Sequence, residues 1–230
     1  MKLSIIIPYR DNGQEDRYHI AQWCFKRYKY LFPNAEIILS DSKKTIFSRG
    51  ESINLGVSKS TGDYIIITDS DYLFSDRMAK EIVNRSPWTI ACKTKNYYFT
   101  NNIAAYEILQ LPYDIKLEKI NFGNNIQVSQ FEGYGQVIAM PKSNFVGFDE
   151  TMKGYGWEDN QFYYCMRACH GSERRTNNKM YHLYHERLAN TPYMQHSYNN
   201  RDYYEATWQP IESNRRAIRE LMKQKGMYFR

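Results

Sequence analysis

The chain has 230 residues, 42% of them hydrophobic, and carries 31 Lys and Arg against 25 Asp and Glu, a formal charge of +6. That length and apolar share build one large domain, or one domain with an appendage, around a real core. No apolar run approaches the ~20 residues a membrane span needs, and the modest basic excess suits an anionic small molecule, a membrane surface or nucleic acid without choosing among them.

Lys2 to Ile7 is a short apolar strand stopped by Pro8. It opens the fold, which leaves no secretory signal peptide ahead of it. Ile20 to Phe32 has apolar residues at helical spacing (Ile20, Trp23, Cys24, Tyr28, Leu31) and closes at Pro33-Asn34. Glu36 to Ser40 is a second strand ending at Asp41, Ser48 to Ser60 a helix, and Tyr64 to Thr68 a third strand after the break Thr61-Gly62-Asp63. This alternation implies a parallel sheet with right-handed crossovers. A helix follows from Ser75-Asp76 to about Arg85, then a strand over Thr89 to Lys93. Asn96 to Asn125 is less regular, and Gly123 to Ser129 reads as loop. Gln136 to Met140 is a strand, Glu158 to Ala168 a helix with an acidic start, and Met180 to His185 a last strand. Asn190 to Arg201 is polar and reads as mobile, and Glu212 to Lys225 is a basic helix with Ile218, Leu221 and Met222 on one side. There is no repeat, no low-complexity segment and no clean linker.

Ligands of such sheets bind beyond the carboxyl ends of the strands. Pro8-Tyr9-Arg10-Asp11, Asp41 and Asp69-Ser70-Asp71 all lie there, so one cleft should collect them. A D-S-D alone also suits a solvated turn. At a strand end, its two carboxylates can hold a hard divalent cation, and the cation a diphosphate. Gly154-Tyr155-Gly156-Trp157-Glu158-Asp159 sets two aromatics and two acids between a glycine-loosened loop and a helix start, where a carboxylate can accept a proton. The same pattern is also an ordinary acidic helix start over buried aromatics. His182 and His185 are candidate metal ligands. In an extended segment their imidazoles point to opposite faces, so only one should reach the cleft. The four cysteines (Cys24, Cys92, Cys165, Cys169) fit a reducing setting. Cys165 and Cys169, with His170 adjacent, have a spacing zinc can use, but inside a helix they read as packing. The 21 tyrosines can stack on ring faces and hydrogen-bond through their hydroxyls, and A/T-rich coding explains the count as well.

These motifs resemble nucleotide-sugar glycosyltransferases of the GT-A fold. The likeness is to family 2-like bacterial enzymes and the β-1,4-galactosyltransferase and chondroitin-polymerase-like group. It rests on Ile5 to Asp11, Phe47 to Gly56, Asp69 to Asp71, Phe148-Asp149-Glu150 with Gly154 to Phe162, and His182 to His185, in the family's order. The resemblance implies an α/β fold: a Rossmann-like, mostly parallel sheet flanked by helices, with a C-terminal acceptor-side subregion. It divides the chain into a glycosyltransferase domain over 1–190 (nucleotide-binding half 1–95, acceptor and catalytic half 96–190) and a segment 191–230 of mobile chain and basic helix. It implies that Pro8, Tyr9 and Arg10 meet the nucleotide, Asp41 the uracil or ribose, and Arg49 the nucleotide site. Asp71 would be a Mn²⁺ (or Mg²⁺) ligand with His185, His182 and Asp69 being the fallbacks, and Asp69 with Ser70 would lie by the ribose and sugar. Asp159 would be the general base and Glu158 a sugar- or acceptor-binding acid, with Tyr155, Gly156 and Trp157 beside them. The usual Trp-Gly-Gly before the acids is here Tyr155-Gly156-Trp157, so Trp157 stands where a glycine leaves space.

The implied activity is inverting transfer of a hexose from UDP-Gal, UDP-GalNAc or UDP-Glc to a glycan or glycoconjugate hydroxyl, in polysaccharide biosynthesis. The implied location is cytoplasmic, with a terminal helix able to dock on an anionic membrane and no nucleic acid partner expected. A sugar-nucleotide nucleotidyltransferase would show a Gly-rich basic loop after the first strand, and Pro8 to Asn12 has none. A non-catalytic binder of anionic surfaces or nucleic acid would respond to salt and ignore Mn²⁺.

Overall fold

The computed structural model describes residues 1–93, 96–130, 133–186 and 192–227. Its first part follows the apolar runs: β1 (Leu3–Pro8), α1 (Glu15–Leu31), β2 (Glu36–Ser40), α2 (Arg49–Lys59) and β3 (Tyr64–Thr68). β1 lies between β2 and β3 and is parallel to both, with Ile6 opposite Ile38 and Ile67. Then come β4 (Tyr72–Phe74), α3 (Asp76–Ile82), β5 (Thr89–Ile90), β6 (Tyr97–Thr100), α4 (Asn102–Leu109), β7 (Ile126–Val128) and β8 (Val137–Pro141). α5 (Glu158–His170), β9 (Arg174–Arg175), β10 (Met180–His182), α6 (Pro192–Thr207) and α7 (Arg215–Gln224) complete the chain.

The main sheet has the order β2-β1-β3-β8-β5-β9. It is parallel except for β8, which runs antiparallel to both β3 and β5. This is the expected mostly parallel α/β sheet. Side chains alternate across a strand, so β1 and β3 feed two cores. Ile5, Ile7 and Ile66 face α1, where Cys24 and Tyr28 are buried. Ile6, Ile65 and Ile67 face Ile53 of α2 and Phe162 and Met166 of α5. Burial on both faces is why these strands read as unbroken apolar runs. Truncating a fully buried isoleucine such as Ile66 to alanine costs about 2–5 kcal/mol.

A second sheet, β4-β10-β6-β7, was not expected from the sequence. The region read as irregular holds β6 and α4, and the segment read as loop holds β7, paired antiparallel with β6 (Tyr98 opposite Val128). Its strands are three or four residues long, too short for a period of two to stand out. α1 begins at Glu15, with Glu15 and Asp16 in its first turn, earlier than its apolar face suggests.

The polar segment read as mobile is helical from Pro192 onward, while Asn190 lies outside the described residues, as does the boundary drawn at residue 190. α6 is anchored by Tyr204 and, just past its end, Trp208, each 2% exposed. Both lie beyond the polar window that suggested mobility. α7 packs on α5 through Ile218 and Met222. Two of its cations turn inward: Arg219 donates to Ala168 O at the end of α5, and at the helix end Lys225 pairs with buried Asp149 at 3.1 Å. No described helix is long and apolar enough to cross a membrane.

Candidate active site

The site is organised by Arg49, the first residue of α2, which is only 4% exposed. Its Nε donates to Asp69 Oδ1 at 2.8 Å, its Nη1 to Asp159 Oδ1 at 2.6 Å, and its Nη2 to Gly135 O at 2.9 Å. Glu158 Oε1 stands 3.5 Å from Nη1. One forked cation therefore ties the end of β3 to the start of α5, a geometry only arginine's rigid donor set supports. Arg49, expected at the nucleotide site, joins Asp69 of that side to Asp159 through these contacts.

Gly135 permits the arrangement. A Cβ there would lie 1.9 Å from the Asp159 carboxyl carbon, so only glycine lets Asp159 close on this backbone. Gly135 lies outside the motifs read from the sequence; the flanking Gly133 was the available signal. Behind the Asp69 turn, the fully buried Tyr28 of α1 reaches Asp69 O at 3.0 Å and Tyr72 O at 2.5 Å, bracing the backbone that carries Asp69 and Asp71.

Asp71 is buried between two imidazoles. Its Oδ2 lies 3.2 Å from His185 Nε2 and 3.7 Å from His182 Nε2. The three residues offer ligand atoms within 4.8 Å of one another. Both histidines reach the cleft, contrary to the alternation expected of a strand, because β10 ends at His182. Leu183 N donates to Asp71 O at 2.9 Å, and beyond it Tyr184 N donates to Thr100 Oγ1 and Glu186 N to Asp16, outside any strand, where the chain turns His185 back. Asp71 Oδ1 is buried without a hydrogen-bond partner among the described residues, which leaves a carboxylate lone pair available to a cation. Asp69 lies on the other side, held by Arg49 rather than in this cluster.

The electrostatics of the acids diverge. Burial, with help from Asp71, raises Asp69 to about 6 although Arg49 opposes the shift. Burial acts the same way on Asp71, but the two histidines outweigh it and hold Asp71 at about 2. Burial and then Asp159 push Glu158 up to about 8. Neither Glu158 carboxylate oxygen makes a hydrogen bond of normal geometry among the described residues.

Beyond β1 and β2, Arg10 forms a two-pronged pair with Asp41, Nε to Oδ2 at 2.8 Å and Nη2 to Oδ1 at 2.5 Å. Its guanidinium lies 5.6 Å from the ring centre of Phe47, a contact absent from the sequence reading. Pro8 ends β1 opposite Ser40, and Tyr9 tucks its ring edge-on against Phe25 of α1. Ser70 is buried in the turn between the two aspartates.

The loop before α5 lies under α6. Asn200 donates to Lys153 O and Gly156 O and accepts from Lys153 N, while a Cβ on Gly156 would meet Ser197 Oγ at 2.4 Å. Gly156 has φ +107°, and the next residue, Trp157, has φ +69°. A bulky side chain in this region is strained by ~1–3 kcal/mol. The position is one where glycine is at ease, and a tryptophan holds it here by packing 5.5 Å from Tyr204 of α6. Trp157 thus faces the core, whereas Tyr155 is 55% exposed and is the aromatic available to a ligand. Cys165 and Cys169 are packing residues, the former accepting from Gln161 and the latter against Met222.

No protein-family model and no curated protein matches the chain. Among solved structures, it is similar to a Drosophila β-1,4-galactosyltransferase 7 mutant in complex with manganese, UDP-Gal and xylobiose. That likeness has a TM-score of 0.48 and 16% identity over 84% of this chain and 78% of that one. It is also similar to Staphylococcus aureus TarS 1–349, with a TM-score of 0.45 and 10% identity over 80% of this chain. Similarity to S. aureus TarS has a TM-score of 0.46 and 13% identity over 80% of this chain. The chain spans 60% of the former TarS chain and 37% of the latter.

Proposed function

We propose that the chain is a metal-dependent glycosyltransferase that moves a hexose, with inversion, from a UDP-sugar to a hydroxyl of a glycan or glycoconjugate. The observation that carries this reading is the Asp71, His182 and His185 cluster two residues on from Asp69, which Arg49 joins to Asp159 with Glu158 at 3.5 Å. A leaving-group side and an attacking side would thereby be linked through Asp69 and one buried cation.

Asp71, His185 and His182 would hold the ion; two imidazoles with one carboxylate suit Mn²⁺ better than Mg²⁺, which prefers all-oxygen sites. When bound, the ion would neutralise charge developing on the departing diphosphate. Asp159 keeps Oδ1 on Arg49, which orients the side chain, and its Oδ2 accepts the proton of the attacking hydroxyl. Glu158, held neutral by burial, donates rather than accepts a hydrogen bond toward a sugar hydroxyl. Arg10, locked on Asp41, forms the nucleotide-side wall with Pro8 and Tyr9, and Tyr155 offers a ring face for a sugar. Donor preference is expected in the order UDP-Gal, UDP-GalNAc, UDP-Glc. A role in polysaccharide biosynthesis in the cytoplasm, where four unpaired thiols persist, completes the reading.

Calorimetry of UDP binding tests it. Asp71→Asn should abolish the Mn²⁺-dependent part of the affinity, and unchanged affinity would remove the metal assignment. Asp159→Asn should bind UDP with Mn²⁺ as the wild type does yet fail to transfer sugar. Turnover retained in that variant would remove Asp159 as the base.

A further inference from the structure

A second feature lies at the other end of the sheet. The end of α1 and the turn after it (Tyr30, Phe32, Pro33), Leu3 at the start of β1, and Ala79 and Val83 by α3 line an open cleft of about 630 Å³. None of the site residues contributes to it. An adjoining depression of about 370 Å³ shares Asp76 and Lys80 with the cleft and adds Arg77, Lys116 and Glu118. Asp76 is neutralised by the buried Arg27 at 2.8 Å. Arg77, Lys80 and Lys116 are exposed and make no ion pair among the described residues, with Glu118 the opposing carboxylate on this lining. Tyr30 lines the cleft and Tyr113 lies beside it, 41% and 46% exposed, with ring centres 6.5 Å apart.

We propose that this face binds the surface of an anionic membrane, a phospholipid phosphate seated among Arg77, Lys80 and Lys116 and its hydrocarbon entering the cleft beside Phe32 and Val83. The cations alone would suit any polyanion. Their position next to an apolar cleft matches an amphiphile, whose charged and greasy parts are joined in the same order. Tyrosines that are apolar in body and polar at the tip favour the boundary between lipid and water. Each cation near an anionic leaflet adds to the attraction. Leu3 lies at the amino end of β1, whereas Asp69 and Asp71 follow the carboxyl end of β3, so docking here leaves the site open to solvent. The basic helix α7 offers less, because Arg219 and, at its end, Lys225 are engaged inward.

The test is sedimentation of the full chain with phosphatidylglycerol vesicles and with phosphatidylcholine vesicles, at low and physiological salt. The wild type should bind the anionic vesicles and not the neutral ones. Arg77→Glu/Lys80→Glu/Lys116→Glu should weaken binding by roughly tenfold or more, and Tyr30→Ser/Tyr113→Ser should weaken it while leaving the charge unchanged. Arg215→Glu/Arg216→Glu on α7 should bind as the wild type does. Circular dichroism of each variant separates lost binding from lost fold. No sedimentation of the wild type overturns the proposal, as does loss confined to the α7 variant. Binding that survives the tyrosine changes reduces the face to a general polyanion patch and overturns it too. The assay needs no metal and no turnover, so its outcome is independent of the transfer reaction proposed above.

Discussion

Arg49 and its partners show how a few atoms define the candidate site. Asp69, Asp159 and Gly135 O share one guanidinium, and the closeness of Gly135 to Asp159 makes the arrangement sensitive to a single methyl group. Gly135→Ala should displace Asp159 and cut transfer by roughly a hundredfold, the order expected for a misplaced catalytic group. UDP binding with Mn²⁺ should survive, as measured by calorimetry beside a transfer assay. Arg49→Lys should lose at least as much, since one ammonium cannot reproduce three directed contacts. Glu158 makes a separate prediction. Folded, it titrates near 8, against an ordinary 4.5, so between these values the folded state holds a proton that the unfolded chain has released. The stability this contributes is complete below the unfolded value and is lost as pH rises through the folded one. Asp69, raised to about 6, acts with the same sign. Glu158→Gln should therefore raise the melting temperature more at about pH 8.5 than at about pH 5.5, with roughly 2–4 °C for each kcal/mol. An equal change at both pH values would show that Glu158 is ionised in the fold.

Among elements, α6 has the most consequence. Asn200 makes three hydrogen bonds to the backbone of Lys153 and Gly156, and Tyr204 receives Trp157. The strained turn that presents Tyr155, Glu158 and Asp159 is thus held from outside by a helix that follows it in the chain. Asn200→Ala leaves partly buried backbone groups unpaired and should cost about 1–3 kcal/mol in denaturant unfolding. The same variant should raise KM for the acceptor more than for UDP-sugar, because it loosens the 153–157 loop and not the Asp71 cluster. A change confined to stability would make α6 a purely structural brace. The helix was not legible as such because its first turns are polar and its anchors, Tyr204 and Trp208, come late. α2 and α5 were legible because each carries its own apolar stripe.

At the scale of the molecule, the parallel strands bring Arg10, Asp41, Asp69 and Asp71 to one end of the sheet, and the second sheet returns His182 and His185 to Asp71. A UDP-sugar at about 100 times its Kd should stabilise the fold by about 2.7 kcal/mol and raise the melting temperature by roughly 5–11 °C. The shift should need Mn²⁺ and vanish on chelation. A screen of UDP-, GDP- and TDP-sugars would then rank donors, and a shift indifferent to Mn²⁺ would argue against the Asp71, His182 and His185 site.

The sequence by itself determined the strand-helix alternation, because buried strands must be continuously apolar and amphipathic helices must show a periodic face. It also determined which residues stand at strand ends, and so most of the chemistry in the cleft. Only the tertiary structure decided the partnerships. Arg49 meets Asp159 across 110 residues and Asp71 meets His185 across 114, contacts whose pairing leaves no local pattern. The same holds for Gly135, whose value is the absence of a side chain where Asp159 arrives. It holds also for Trp157, whose left-handed backbone is tolerable only with Tyr204 beside it. Local periodicity records which face is buried; it carries no record of what is buried against it.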